Sequence, residues 1–153
     1  EMSDIMFIVT KNLESNIDSK NAIIEFSNLP KVFAEPYKLS QILQNLVDNA
    51  MKFVKDKDPK ILVYGSETPT HWQISVQDNG IGIKEEFKEK IFLIFQRLHN
   101  DTEYTGTGIG LAICKKVVDI HHGQIWVDSK IGEGTTFHFT ISKSLHNKTA
   151  SLN

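Results

Sequence analysis

Three clusters of residues in this chain have the types and spacing to hold a nucleotide. Asp78-Asn79-Gly80-Ile81-Gly82-Ile83 follows an alternating strand pattern, and Gly106-Thr107-Gly108-Ile109-Gly110-Leu111 opens a helical one. Upstream, Asn45, Asn49 and Lys52 recur one turn apart on a third pattern. A carboxylate at Asp78 can accept from the exocyclic amine of adenine, which guanine, with a carbonyl in that place, cannot offer. Gly80 and Gly82 let the backbone pass closely by a planar ring. Free amides at a helix start, together with the positive end of its dipole, favour phosphate at Gly106, Thr107, Gly108 and Gly110. Two neutral side-chain amides can offer a carbonyl oxygen to Mg²⁺, and the lysine a cation to phosphate. In combination the three describe an ATP site.

Singly, each cluster has a plainer reading. Asp-Asn-Gly is a common hairpin turn, the later glycines also suit the hinges of a loop, and a polar helix stripe is ordinarily solvated surface. The glycine run is not a dinucleotide-binding fingerprint, because no strand immediately precedes it; residues 96–105 read instead as a polar loop.

The elements that must position these residues follow from apolar period. Ile5, Ile8, Val9, Leu13 and Ile17 predict a helix capped by Ser3 or Asp4 and ending near Asp18. Residues 22–26 and 31–34 read as short strands around the turn Ser27-Asn28-Leu29-Pro30. Pro36 suits the first turn of a helix running to about Phe53. Its residues Leu39, Ile42, Leu43, Leu46, Val47 and Ala50 form one stripe; Gln41, Asn45, Asp48, Asn49 and Lys52 fall on the other side. Residues 60–66 and 71–77 predict a hairpin, 84–93 a short helix, and 106–122 a longer helix ended by Gly123. Residues 124–129 and 135–142 predict a last hairpin. Hairpins interleaved with helices indicate an α+β fold: a two-layer sandwich of one mixed, mainly antiparallel sheet with helices on one face.

At 153 residues the chain fits a single domain, for which about 70% of the unfolded surface is buried on folding. The core is expected over 5–142, with a polar tail over 143–153. A formal charge of −2 leaves no basic excess for nucleic acid or an anionic membrane. Cys114, the single cysteine, falls at helical spacing among Leu111, Val117 and Val118, as a small core residue fitting a reducing compartment. No apolar run approaches the ~20 residues of a membrane span, and no signal-peptide pattern opens the chain. The helical pattern beginning almost at Glu1 suggests a domain cut from something longer.

In order along the chain, the motifs resemble those of the catalytic, ATP-binding domain of sensor histidine kinases. That domain belongs to the wider Bergerat-fold group with gyrase B, the Hsp90 chaperone and the mismatch-repair protein MutL. The resemblance covers residues 5–142. The N box is Asn45-Leu46-Val47-Asp48-Asn49-Ala50-Met51-Lys52-Phe53, the G1 box Asp78 to Ile83, the F box Ile91-Phe92-Leu93-Ile94-Phe95 and the G2 box Gly106 to Leu111. Gly132-Glu133-Gly134-Thr135-Thr136-Phe137 looks like the G3 element.

The resemblance implies ATP and Mg²⁺ as cofactors, with Asn49 the principal metal ligand and Asn45 and Lys52 near the phosphates. It places Phe53 against the adenine, Asp78 on its amine and the Thr136 hydroxyl in support of Asp78. Arg97 would approach the γ-phosphate, and a lid would run over 96–107. It also implies two partners: a dimerisation domain bearing the phosphoacceptor histidine, and a response-regulator receiver domain. The chain itself would be a monomer and its parent a homodimer. The domain would be cytoplasmic, in a parent that is membrane-anchored or soluble.

Two departures sharpen this reading. Gyrase-like ATPases carry a glutamate as general base one turn before the Mg²⁺ asparagine, where this chain has Asn45. An amide cannot take a proton from water, so hydrolysis is disfavoured, whereas a neutral imidazole nitrogen already presents a lone pair to phosphorus. The family's acceptor is a histidine followed by an acidic residue, and none of the six histidines has that neighbour. The acceptor is expected on a separate domain. An anti-sigma-factor-like serine kinase and a nucleotide-dependent interaction module without catalysis are the alternative functions.

Overall fold

The computed structural model describes residues 1–93 and 110–145. In chain order the elements are α1 (Met2–Asn12), α2 (Glu14–Lys20), β1 (Ile23–Ser27), α3 (Pro36–Lys52), β2 (Lys60–Glu67) and β3 (His71–Asp78). Two 3₁₀ turns, Glu85–Phe87 and Lys90–Phe92, lead on to α4 (Gly110–Ile120), β4 (Ile125–Lys130) and β5 (Gly134–Ser142).

The five strands form one sheet in the order β1-β2-β3-β5-β4. β1 runs parallel to β2 and every other pair is antiparallel. The parallel pair exists because β1 and β2 are joined through α3, and a parallel connection needs such a crossover. β5 inserts between β3 and β4, which brings the start of β5 beside the end of β3. Gln77 pairs with Thr136, so Asp78 lies one step along from that pair.

Alternation decides which face is covered. Ile61, Val63, Ile74, Val76, Phe137, Phe139 and Ile141 are all buried, and they share the face on which the helices pack. On α3 the stripe Leu39, Ile42, Leu43, Leu46, Val47, Ala50 and Met51 is buried; burying a leucine or valine of this kind stabilises by roughly 1.5–3 kcal/mol. The arrangement is the expected α+β sandwich. Cys114 is free and fully buried in this core. No helix among the described residues is long and apolar enough to cross a membrane.

The sequence expectations need correction in three places. The first helix starts at Met2 with Glu1 in the cap position and no side-chain cap bond, so Ser3 and Asp4 lie inside it. It also turns at Leu13, although the Leu13→Val9 and Ile17→Leu13 amide bonds continue the ladder. Leu13 is the last residue of this stretch to be buried, and α2 buries none.

Residues 31–34 form no strand. Val32 and Ala34 pack against the core as partly buried side chains, so their alternation reports an apolar face without a ladder partner. Residues 84–93 form the two 3₁₀ turns in place of a helix, consistent with the high cost of nucleating a short one. The expected start of the long helix at Gly106 lies outside the described residues.

Candidate functional site

The C-terminal end of α3 and the loop after β3 are joined through backbone. Phe53 caps α3, and its carbonyl accepts from the Ile81 N–H at 2.9 Å. A β-carbon on Gly80 would lie 2.5 Å from that same carbonyl oxygen, so only glycine permits the approach. Gly82 adopts φ +82°, a conformation glycine reaches without steric cost. From the far side the β4–β5 hairpin grips the loop: Gly132 N–H donates to the Ile81 carbonyl at 2.9 Å, and Ile83 N–H to Ser129 Oγ at 2.7 Å.

Asp78 sits at the base of this arrangement. Its Oδ1 accepts from Gly80 N–H at 2.8 Å and Thr135 N–H at 3.1 Å, so the bonds given among the described residues fall on one oxygen. Burial raises its carboxyl from 3.8 to about 6, opposed by the Gly80 and Thr135 amides and by the charge of Lys57. The carboxylate is therefore poised to gain from any donor that enters. Asn79, in the same motif, does structural work: its Oδ1 accepts from Lys60 N–H at 2.9 Å and its Nδ2 donates to the Asp58 carbonyl at 3.1 Å.

A narrow cleft opens over Asp78, with a cavity volume of about 30 Å³. Phe53, Ile81, Ile83, Leu111 and Phe137 form apolar walls, with Asn49, Asp78, Gly82 and Thr135 completing the lining. A flat apolar slot with one carboxylate at its base and a side-chain amide from α3 suits a planar heterocycle carrying an amino group.

Asn49, Phe53, Asp78 and Gly82 thus meet in one cleft, with Gly80 forming the turn behind it. Asn45 lies against the start of α4: its Oδ1 would be 3.1 Å from a β-carbon on Gly110. Beside Asn45 lies the Cys114 thiol, which donates to the Ile42 carbonyl at 3.9 Å and which burial pushes up to about 12. Lys52 pairs with Asp48 at 3.0 Å across one turn of α3. Arg97, Gly106, Thr107 and Gly108, and the expected lid over 96–107, lie outside the described residues.

Thr136 needs correction. It pairs with Gln77 on the face of the sheet away from the helices, while Thr135 lines the cleft and holds Asp78. The reason is the two-residue period of a strand. Phe137 and Phe139 are buried against the helices, so Thr135 must share their face and Thr136 cannot. That apolar alternation was the available signal. Ser129 was also missed, and nothing local in the sequence marks it, since its partners come from two other segments.

The described residues contain no cluster of three or more histidine, cysteine or carboxylate side chains able to hold a metal. Asn49 is a neutral oxygen donor. Such a set suits Mg²⁺, which binds through few protein ligands and fills its shell with phosphate oxygens and water.

Residues 34–145 match the family described as histidine kinase-, DNA gyrase B-, and HSP90-like ATPases. The phytochrome-like protein Cph1 of Synechocystis is 49% identical over 142 residues, which cover 91% of this chain and 19% of Cph1. The chain thus spans about a fifth of the curated relative it matches. Among solved structures, the nucleotide-free catalytic domain of histidine kinase ThkA superposes with a TM-score of 0.78 at 32% identity, covering 93% of this chain and 94% of ThkA's. ThkA in complex with the response regulator protein TrrA superposes at 0.74 and 31% identity, over 94% of this chain and 40% of that one. The chain belongs to the histidine kinase-, DNA gyrase B- and HSP90-like ATPase family, and it is built as the histidine kinase catalytic domains within it.

Proposed function

We propose that this chain binds Mg·ATP and donates the γ-phosphoryl group to a histidine on a separate dimerisation domain, for relay to a response-regulator aspartate. The observation that carries the reading is Asp78, held on one oxygen by two backbone amides at the base of an apolar cleft. Its second oxygen accepts from the adenine amine, while Phe53 and Ile81 cover the ring. Asn49 reaches the phosphate side as the metal ligand, with Asn45 and Lys52 next along the same helix. Mg²⁺ supplies neutralisation of charge on the phosphate oxygens when bound.

The transfer forms a bond from an imidazole nitrogen to the γ-phosphorus and breaks the bond to the β–γ bridging oxygen, which leaves with ADP. Little proton transfer is needed, so positioning and charge neutralisation supply the catalysis. Asn45 fits this chemistry: an amide beside Gly110 and Cys114 is no base for water, and ATP is spared hydrolysis. Arg97 is proposed to meet the γ-phosphate. ThkA's complex with TrrA supports a receiver domain as the downstream partner.

The test supplies γ-labelled ATP to the chain alone and to the chain mixed with a helical-hairpin fragment carrying a histidine followed by Glu or Asp. Acid-labile, base-stable label on the hairpin only is the expected result. Absence of ATP binding overturns the reading, and acid-stable label on a serine substrate replaces it with a serine kinase.

A further inference from the structure

Ser129 Oγ lies 2.7 Å from the Ile83 nitrogen, 2.7 Å from Thr135 Oγ1 and 3.0 Å from the Gly134 carbonyl oxygen. A hydroxyl has one hydrogen and two lone pairs. The Ile83 amide can only donate and the Gly134 carbonyl can only accept. Ser129 therefore accepts from Ile83 and gives its own hydrogen to Gly134. The third contact then requires Thr135 to donate to Ser129. This one arrangement makes all three contacts, and it uses the only hydroxyl hydrogen Thr135 has.

Thr135 is left facing the cleft with lone pairs alone. Asp78, ionised, is also an acceptor only, with Oδ1 already engaged by the Gly80 and Thr135 amides. Where these two neighbouring acceptors meet the 6-position of a purine, they favour the amino hydrogens adenine carries there and oppose the carbonyl oxygen guanine carries in that place. Ser129 comes from β4 and contacts the cleft through Thr135 and Ile83. We propose that Ser129 is a specificity-positioning residue of the nucleotide site: its oxygen takes up the Thr135 hydrogen, so that the cleft presents acceptors and selects adenine over guanine. The proposal rests on the reading of the cleft as a nucleotide site.

The test is calorimetric titration of the chain with Mg·ATP and with Mg·GTP. In Ser129→Ala the Thr135 hydrogen is free to turn toward a purine carbonyl, so the ATP-to-GTP affinity ratio should fall about fivefold, the worth of one neutral hydrogen bond. Ser129→Thr, which keeps the hydroxyl, should restore the ratio. A merely structural role lowers both affinities together and leaves the ratio unchanged; that result, or a Thr variant as relaxed as the Ala variant, overturns the proposal. In a Thr135→Val background, Ser129→Ala should leave the ratio where it is, and a further fall of the same size would show that Ser129 acts by another route. If Ser129→Ala does not fold, Ser129→Cys, similar in size but a weak acceptor, must show the same relaxed ratio, and an unaltered one overturns the proposal. A wild-type chain that binds no ATP overturns the nucleotide reading itself, an outcome distinct from an unchanged ratio in a chain that does.

Discussion

Thr135 donates its backbone N–H to Asp78 Oδ1 at 3.1 Å, a bond between residues 57 positions apart in the chain. With the Gly80 amide on the same oxygen, it orients the carboxylate without consuming the oxygen a ligand needs. Burial raises the Asp78 carboxyl to about 6 all the same. An ionised Asp78 without a donor on its second oxygen therefore costs stability, a cost that an entering donor offsets.

Asp78→Asn separates stability from binding. The amide carbonyl can still accept from Gly80 and Thr135, and the buried charge is gone. The wild-type carboxyl titrates at 3.8 unfolded and about 6 folded, so the folded state holds the proton more tightly. Its contribution is fully present below pH 4 and is lost as pH rises through 6. The nucleotide-free Asn variant should be more stable than wild type by about 2–3 kcal/mol at pH 7.5, with the difference shrinking toward pH 4. Urea denaturation at both pH values measures this. The same variant should bind ATP about ten- to a hundredfold more weakly, the worth of a charged hydrogen bond.

ATP affinity should itself depend on this group. Adenine's amine offers hydrogens, so the ionised carboxylate is the binding form, and affinity should decline as pH falls below about 6. The loss approaches tenfold per pH unit once the carboxyl is protonated. Adenosine titrated over pH 5 to 8, which avoids phosphate ionisation, should reproduce the decline, and Asp78→Asn should abolish it.

If Asn49 is the metal ligand proposed above, Asn49→Ala should remove most of the Mg²⁺ enhancement of ATP binding and leave adenosine affinity nearly unchanged. Titrations of ATP and adenosine with and without Mg²⁺ separate the two effects. Equal losses for both ligands would place Asn49 against the base.

Breaking the Asp48–Lys52 pair should cost little stability. The pair is a partly exposed i,i+4 contact at 3.0 Å, worth about 0.3–0.5 kcal/mol. Asp48→Ala should also release Lys52 toward phosphate, so the affinity ratio of ATP to adenosine should rise. A ratio that falls would argue that Asp48 holds Lys52 in its working position.

Gly82→Ala and Gly132→Ala make a matched pair. Both residues have positive φ, +82° and +84°, and each pays about 1 kcal/mol for a left-handed alanine. A β-carbon on Gly82 would also lie 2.4 Å from the Lys130 carbonyl oxygen, whereas one on Gly132 meets nothing within 4 Å. The Gly82 variant should therefore lose more than about 2 kcal/mol, and it should lose ATP binding as the loop moves. Thermal denaturation and titration of the two variants check this.

Much of this molecule was determined by the sequence alone, because period and residue chemistry act locally. The stripe on α3 had to be buried, which left Asn45, Asn49 and Lys52 beside it on the rest of the helix surface. Asp78 had to end a strand next to glycines, and the hairpins followed from alternation between turns. Segments with weak local signals went otherwise: 31–34 alternates yet has no ladder neighbour, and 84–93 has too few apolar positions to sustain a helix. Strand order was decided only by the tertiary structure. Placing β5 between β3 and β4 brought the face that alternation gives Thr135 beside Asp78, and brought Ser129 to Ile83 across 46 positions. Such contacts depend on which strands become neighbours, and that choice is made by burial of the whole sheet face against the helices rather than by any one segment's composition.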